Sequence, residues 1–569
     1  MDMKQQLLIA GILAMSFILW NNWNTFQEAK LNQQETEFNS QQNGNGQVPL
    51  NENFEPSSGS SVPINENDIN NKGIQEVQAP TENVSQIISV ETDLYTAKIN
   101  TKGGTIESLI LKDEAKSAKT PDIGFELLKK TPKEIFIAQS GMFGNNGGYP
   151  KHFSQFTSNQ ASYVLEEGLN EINVPLYWTS PEGIIFTKTL TFKRDTYLID
   201  TEFDIQNSSS QTWQGSLYGM FKRTQPIDAK KGSLFQLPSY MGGIQFTPED
   251  KYKKVNFDDI SDNDLDIYTD SGWIGMLQHY FVGVWMLNKP NQEYNFFSQY
   301  IGAKSPEYVI GFKSQTPLTI SPGQSGTVSE SIFVGPKEQK RLKKIQNDNN
   351  VEGLALTVDY GWLTVIADPL FWILKTINSL VNNWGWSIII LTFLIKLAFF
   401  PLSAASYKSM ARMKKLQPRM QTLKERFSDD RTALQQEMMK LYKQEKVNPA
   451  GGCLPILVQI PVFIALYWVL LESVEMRHAP FALWVQDLSS KDPYYILPIL
   501  MGASMMLQFR LNPSPMEPMQ QKIMMIMPIA MTFLFVTFPS GLVLYWVVNN
   551  VLSIAQQWTI NRTIVKNTA

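Results

Sequence analysis

The rhythm of hydrophobic and polar positions changes several times along the chain, and each change predicts a different kind of element. After Lys4 comes an uncharged, almost wholly apolar run over residues 7–20. As a helix it would be roughly 21 Å long and would need its flanks to cross a hydrocarbon core of about 30 Å. The length also suits the apolar part of a cleaved signal peptide, but Asn21-Asn22-Trp23-Asn24-Thr25 offers no small-x-small site. An uncleaved signal anchor with its N-terminus inside is therefore expected. Residues 27–84 are mostly Gln, Asn, Glu, Ser, Pro and Gly, too polar to offset ordering entropy, and predict a flexible tether. Beyond it the period becomes two. Tyr197, Ile199, Phe203 and Ile205 fall on one side and Leu198, Asp200, Glu202 and Asp204 on the other, as a half-buried antiparallel strand requires. Turn signals such as Lys102-Gly103-Gly104, Asn146-Gly147-Gly148 and Met241-Gly242-Gly243 separate similar runs, so residues 87–334 are expected to form a large β-sandwich.

After Val351 the period lengthens again. Val365, Leu370, Phe371, Leu374 and Ile377 recur at helical spacing and predict an amphipathic helix over 363–380, lying on the outer membrane surface. Five apolar segments follow, at 384–402, 451–471, 494–509, 523–538 and 541–560. With the anchor they predict six spans, several of them short for a standard bilayer and accommodated by thinning of the membrane or by snorkelling of flanking residues. Between the second and third spans, Met410, Met413, Leu416 and Met420, then Leu434, Met438 and Leu441, predict two amphipathic helices with Ser428-Asp429-Asp430 as bend and N-cap. The expected organisation is an anchor (1–23), a tether (24–84), a β-sandwich domain (85–350), an interfacial helix (351–383), span 2 (384–402), a cytoplasmic helical hairpin (403–447), spans 3 to 6 (448–561) and a short tail (562–569).

Charge gives this pattern an orientation. The 569 residues are 43% hydrophobic and carry a net charge of −4, too little for general nucleic-acid binding. Residues 21–383, however, hold 30 basic against 42 acidic side chains, and residues 403–446 hold 11 against 5. Short Lys/Arg-rich loops stay cytoplasmic, so the sandwich is expected outside, and the hairpin and both termini inside. A single cysteine, Cys453, excludes an intrachain disulfide framework and a Cys-rich zinc site. Three histidines leave little for metal chemistry, and the chain lacks the Gly-x-x-x-x-Gly-Lys-Ser/Thr phosphate cradle. No cofactor or metal is expected. Trp178, Trp213 and Trp273 could stack on a sugar ring, but aromatic residues in sandwiches are usually core, and catalysis is not expected there.

The five later spans contain no Asp or Glu, which disfavours a proton-coupled transporter. They do contain Lys396, one helical turn beyond Thr392. A lysine inside a bilayer costs at least about 2.5–3.5 kcal/mol. Two readings stay open. The amine sits in a hydrated cavity that Gln459, Asn549, Asn550, Ser553, Gln556 and Gln557 could line, or it snorkels past Leu402 to the headgroups.

Several stretches resemble one family. They include Val358-Asp359-Tyr360-Gly361-Trp362, Asn383-Trp384-Gly385-Trp386-Ser387, Leu416-Gln417-Pro418, Lys446-Val447-Asn448-Pro449, Gly451-Gly452-Cys453-Leu454-Pro455, Asp492-Pro493-Tyr494-Tyr495 and Phe538-Pro539-Ser540-Gly541-Leu542-Val543-Leu544-Tyr545-Trp546. On these the chain resembles the YidC/Oxa/Albino membrane protein insertases. The resemblance implies a polytopic α-helical membrane protein with a five-helix insertase core and a periplasmic antiparallel β-supersandwich. It implies a groove, open to cytoplasm and lipid, in which a positive residue receives the polar part of a nascent chain. By position that residue is Lys396, where most Gram-negative relatives carry arginine, and Thr392 and Trp546 match substrate-contacting positions. The expected groove set is Thr392, Lys396, Gln459, Tyr545, Trp546 and Asn549. Nascent membrane proteins, the Sec translocon, the phospholipid bilayer and, through a weakly basic tail, the ribosome are the implied partners, in the bacterial inner membrane, with no small-molecule substrate. The rival expectations are a small-molecule or ion transporter and a membrane anchor for a periplasmic binding domain.

Overall fold

The computed structural model describes residues 85–144, 148–225, 240–302, 306–427, 430–445, 454–511 and 518–566. The expected anchor and tether, Cys453 and the Ser428-Asp429 part of the hairpin bend lie outside the described residues.

The first part is two sheets. Strands from Ile87–Glu91 to Ser325–Pro336 form one sheet of eleven strands and one of eight. The period of two is why they face each other. In the strand Leu198–Asn207, Ile199, Phe203 and Ile205 are buried, and that strand pairs antiparallel with Ile184–Lys193 on one side and Ser325–Pro336 on the other. Pairing is antiparallel except where Ile87–Glu91 runs parallel to Ser162–Val164 at one end of the larger sheet, which departs from the wholly antiparallel expectation. Trp213 and Trp273 are in the core and Trp178 packs on Phe186 at 5.4 Å, consistent with aromatics that fill space between sheets.

Lys188 and Glu330 are among the buried ionisable side chains of this core. Lys188 takes an inward position on Ile184–Lys193 between Phe186 and Leu190, and its Nζ donates to the carbonyls of Gly103 (2.9 Å), Gly104 (3.0 Å) and Ser140 (3.3 Å). Burial pushes its amine down to about 7. Glu330 accepts a 2.6 Å hydrogen bond from the Tyr294 hydroxyl, and burial pushes its carboxyl up to about 8.

The helical part begins with α1 (Gln339–Asp348) and α2 (Thr364–Val381). One stripe of α2 is buried through Ala367, Leu370, Phe371, Leu374 and Ile377, while Val365, Trp372 and Leu380 are exposed with Trp362 just before it. Then come α3 (Trp384–Ala398), α4 (Phe400–Arg426), α5 (Arg431–Gln444), α6 (Leu454–Glu472), α7 (Ile496–Leu511), α8 (Pro518–Phe535) and α9 (Ser540–Lys566). The apolar segment expected as one span over 384–402 is broken: α3 stops at Phe399 and α4 leaves at 62°. Pro401 opens α4, and proline both lacks an N–H and disfavours helical backbone in the residue before it.

By length and composition alone, one helical stretch among the described residues, Gly361–Val381, could cross a membrane, and a second would be the bent pair; 457–472, 496–511 and 525–535 are shorter apolar helices. The helices α4 and α5 form the expected hairpin. Asp430 caps α5 by accepting from the backbone N–H groups of Thr432 and Ala433, and Leu416, Met420, Leu441 and Tyr442 pack between the two helices with Met413 and Met438 beside them.

The two parts share one apolar core that runs from the sandwich into the bundle. At the seam Lys337, buried, donates to Glu472 at the end of α6 (3.0 Å) and to the Thr357 carbonyl (3.2 Å). His279, at a hairpin tip, hydrogen-bonds the Leu471 carbonyl through Nε2 (3.1 Å). Arg477 pairs with Glu114 (3.1 Å) and its guanidinium lies 5.1 and 5.3 Å from the ring centroids of Phe125 and Phe281.

Candidate functional site

The helices that carry the candidate residues start from fixed points. Asn383 caps α3, accepting from the Trp386 N–H while its own amide donates to the Phe481 carbonyl. The Ser540 hydroxyl, at the start of α9, donates to the Ser490 carbonyl (2.7 Å). Both fasten to the same loop, between α6 and α7. Lys396 and Ser553 each lie twelve or thirteen residues down from these ends, about 18–20 Å along a helix, and so meet at one level.

There the Lys396 Nζ donates to the Ser553 Oγ at 2.7 Å. Lys396 is 5% exposed, and no carboxylate among the described residues is within ion-pairing distance of it. The Ser553 hydroxyl proton goes to the Asn549 carbonyl (2.7 Å), and the Gln556 amide donates to the Lys396 carbonyl (3.3 Å). From the bent continuation, the Tyr407 hydroxyl reaches the same Ser553 side chain. The amine therefore points into the bundle. Of the two openings left by the sequence, snorkelling past Leu402 is not what this geometry has.

The remaining expected residues divide. Thr392 is buried and its hydroxyl donates back to the Ile388 carbonyl (2.6 Å), the usual internal bond of a helical threonine. Gln459 on α6 donates to the Asn549 side chain at 3.4 Å, so a polar line runs Gln459, Asn549, Ser553, Lys396 across three helices. One turn towards the start of α9, Phe463 stacks with Tyr545 (5.9 Å, 27°) and meets Trp546 edge-on (4.7 Å, 88°), with Phe535 against the other side of Trp546 at 5.1 Å. The Trp546 indole N–H is buried with no hydrogen-bond partner among the described residues.

Two polar residues proposed for the cavity turn elsewhere. Asn550 donates to Ser504 (3.0 Å) and Gln557 to the Leu511 carbonyl (3.1 Å). They are seven residues apart, two turns on one face, and that face seats α9 on α7. Neither residue type nor helical phase separates the two sets, because 546, 550, 553 and 557 lie within about 60° of one another around α9; only the partner each side chain meets does so. Tyr407 was missed because a straight span over 384–402 sends it away, and Pro401 was the signal for the bend.

Family models match almost all of the described chain: "YidC periplasmic domain" over residues 87–373 and "60Kd inner membrane protein" over residues 376–567. Similar curated proteins include the membrane protein insertase YidC of Methylobacillus flagellatus, 44% identical over 99% of this chain and 98% of its own length. That of Nitrosococcus oceani is 43% identical over 99% of each. Among solved structures, one described as an active YidC insertase with its first transmembrane domain resolved aligns over 83% of this chain and 94% of its own, at 18% identity and a TM-score of 0.37.

Proposed function

The chain belongs to the YidC family of membrane protein insertases, and on that premise we propose that Lys396 receives the acidic or polar part of a nascent chain while its apolar part moves sideways into lipid. It is a membrane protein insertase of the bacterial inner membrane, and its clients are nascent membrane proteins. The reading proposed here adds the means. An ammonium group held in a bundle by a neutral hydroxyl keeps an unneutralised charge, and a passing carboxylate supplies what that charge lacks. This is the observation that carries the reading. Gln459 and Asn549 extend the polar line, and Thr392, Tyr545 and Trp546 pack beside it, where a client's apolar part would have to part them.

In this reading the chain crosses the membrane six times, with both termini in the cytoplasm and the sandwich outside. The short helices α6, α7 and α8 fit a locally thinned bilayer, which shortens the polar segment's path. The basic hairpin faces the ribosome and the inner leaflet, the tail adds a weak ribosome contact, and some clients arrive through the Sec translocon. No cofactor takes part.

The test is insertion of single-span clients with acidic exported tails into liposomes holding the full chain. Lys396→Ala and Lys396→Glu should lower insertion at least several-fold and Lys396→Arg should retain it; equal insertion by all three refutes the electrostatic role. Photocrosslinkers at Thr392, Gln459 and Trp546 should capture a stalled nascent chain.

A further inference from the structure

We infer that Ser553 is a positioning residue that sets the selectivity of Lys396 for acidic client segments. The inference rests on the reading of Lys396 above and goes one step deeper. Three observations carry it. The Ser553 Oγ accepts the Lys396 ammonium at 2.7 Å. Its own proton is spent on the Asn549 carbonyl, also at 2.7 Å, so a lone pair must face the amine. And Gln556, one turn further along α9, ties down the Lys396 backbone carbonyl, which sits in the last turn of α3 before the 62° bend.

The chemistry follows from what the hydroxyl is not. A carboxylate at 553 would hold the amine more firmly, because a bond between two charged groups is roughly twice as strong as a neutral one, but it would also cancel the charge. An apolar residue would leave the ammonium with no partner from α9 and free to fold back on its own helix. A hydroxyl keeps the amine aimed across the bundle at low cost to whatever displaces it. An incoming carboxylate therefore exchanges a neutral acceptor for an ionic one and gains, whereas a neutral polar segment exchanges like for like. Ser553 makes the site discriminate by charge.

The test uses the full chain in proteoliposomes and a single-span client in two forms, one with an acidic exported tail and one with those acids replaced by amides. Ser553→Ala should lower insertion of the acidic form about fivefold or more and move the amide form less than twofold. Ser553→Thr restores the hydroxyl and should restore the difference between the clients. Ser553→Asp should abolish the preference altogether. Equal loss for both clients with Ser553→Ala reports a merely structural residue and overturns the inference, as does no loss for either. Lys396→Ala in the same assay separates the layers. If it spares the acidic client, the reading of Lys396 and this inference fall together; if it is selective and Ser553→Ala is not, only the role of Ser553 falls.

Discussion

Two side chains in the sandwich give its stability an unusual dependence on pH. Glu330 rises from its ordinary 4.5 to about 8, so its contribution is complete below 4.5 and is lost as pH climbs through 8. Lys188 falls from 10.5 to about 7, so its contribution is complete above 10.5 and is lost as pH drops through 7. These two groups alone predict a shallow stability minimum near pH 7–8. Thermal unfolding of the full chain in detergent should show Glu330→Gln flattening the acid limb and Lys188→Met the alkaline limb. Lys188→Met also strips a donor from three buried carbonyls and should cost about 1–3 kcal/mol at neutral pH. Sequence made Lys396 legible at this scale because a charge in an apolar run is conspicuous. Lys188 was not, since in an alternating strand a lysine on the inward phase reads as a register slip until its three carbonyl partners are seen.

Elements were legible wherever one periodicity ran without interruption, as in the Leu198–Asn207 strand and the buried stripe of α2. What sequence withheld was the angle between elements. The break at Phe399 needs only Pro401, but its 62° angle is set by packing between helices far apart in sequence. Close helix approach is likewise invisible until seen. A Cβ on Gly502 of α7 would lie 2.0 Å from the Thr532 Oγ1 of α8, which is itself held by a hydrogen bond to the Pro528 carbonyl. Gly502→Ala should therefore push α7 and α8 apart and cost about 1–3 kcal/mol. Thr532→Ala in the same chain removes the obstructing atom and should recover most of the loss. A double-mutant cycle on detergent unfolding midpoints measures the coupling. Asp430→Ala should unravel the first turn of α5 at a cost of about 1 kcal/mol, seen as faster proteolysis of the α4–α5 hairpin with the sandwich unaffected.

At the scale of the molecule, the family resemblance gave the parts and the structure adds how they are joined. Composition marks where the sandwich ends and the apolar segments begin, but not that Lys337 and Glu472, 135 residues apart, are buried together at the seam. Removing one partner of such a pair leaves a buried charge and costs about 3–5 kcal/mol, while replacing both with apolar residues is far milder. Lys337→Met and Glu472→Leu should each loosen the junction, measured as protease sensitivity between residues 337 and 363, and the double substitution should be more resistant than either. The seam also decides how a mechanical load travels. With Lys337 and His279 gripping the C-terminal end of α6, and Arg477 of the loop just after it gripping Glu114 of the sandwich, the head has no slack joint on which to swivel. A sideways pull on it arrives as torque on that helix, and so at Gln459 thirteen residues below, so that the attitude of the head reports the tilt of a helix lining the candidate groove.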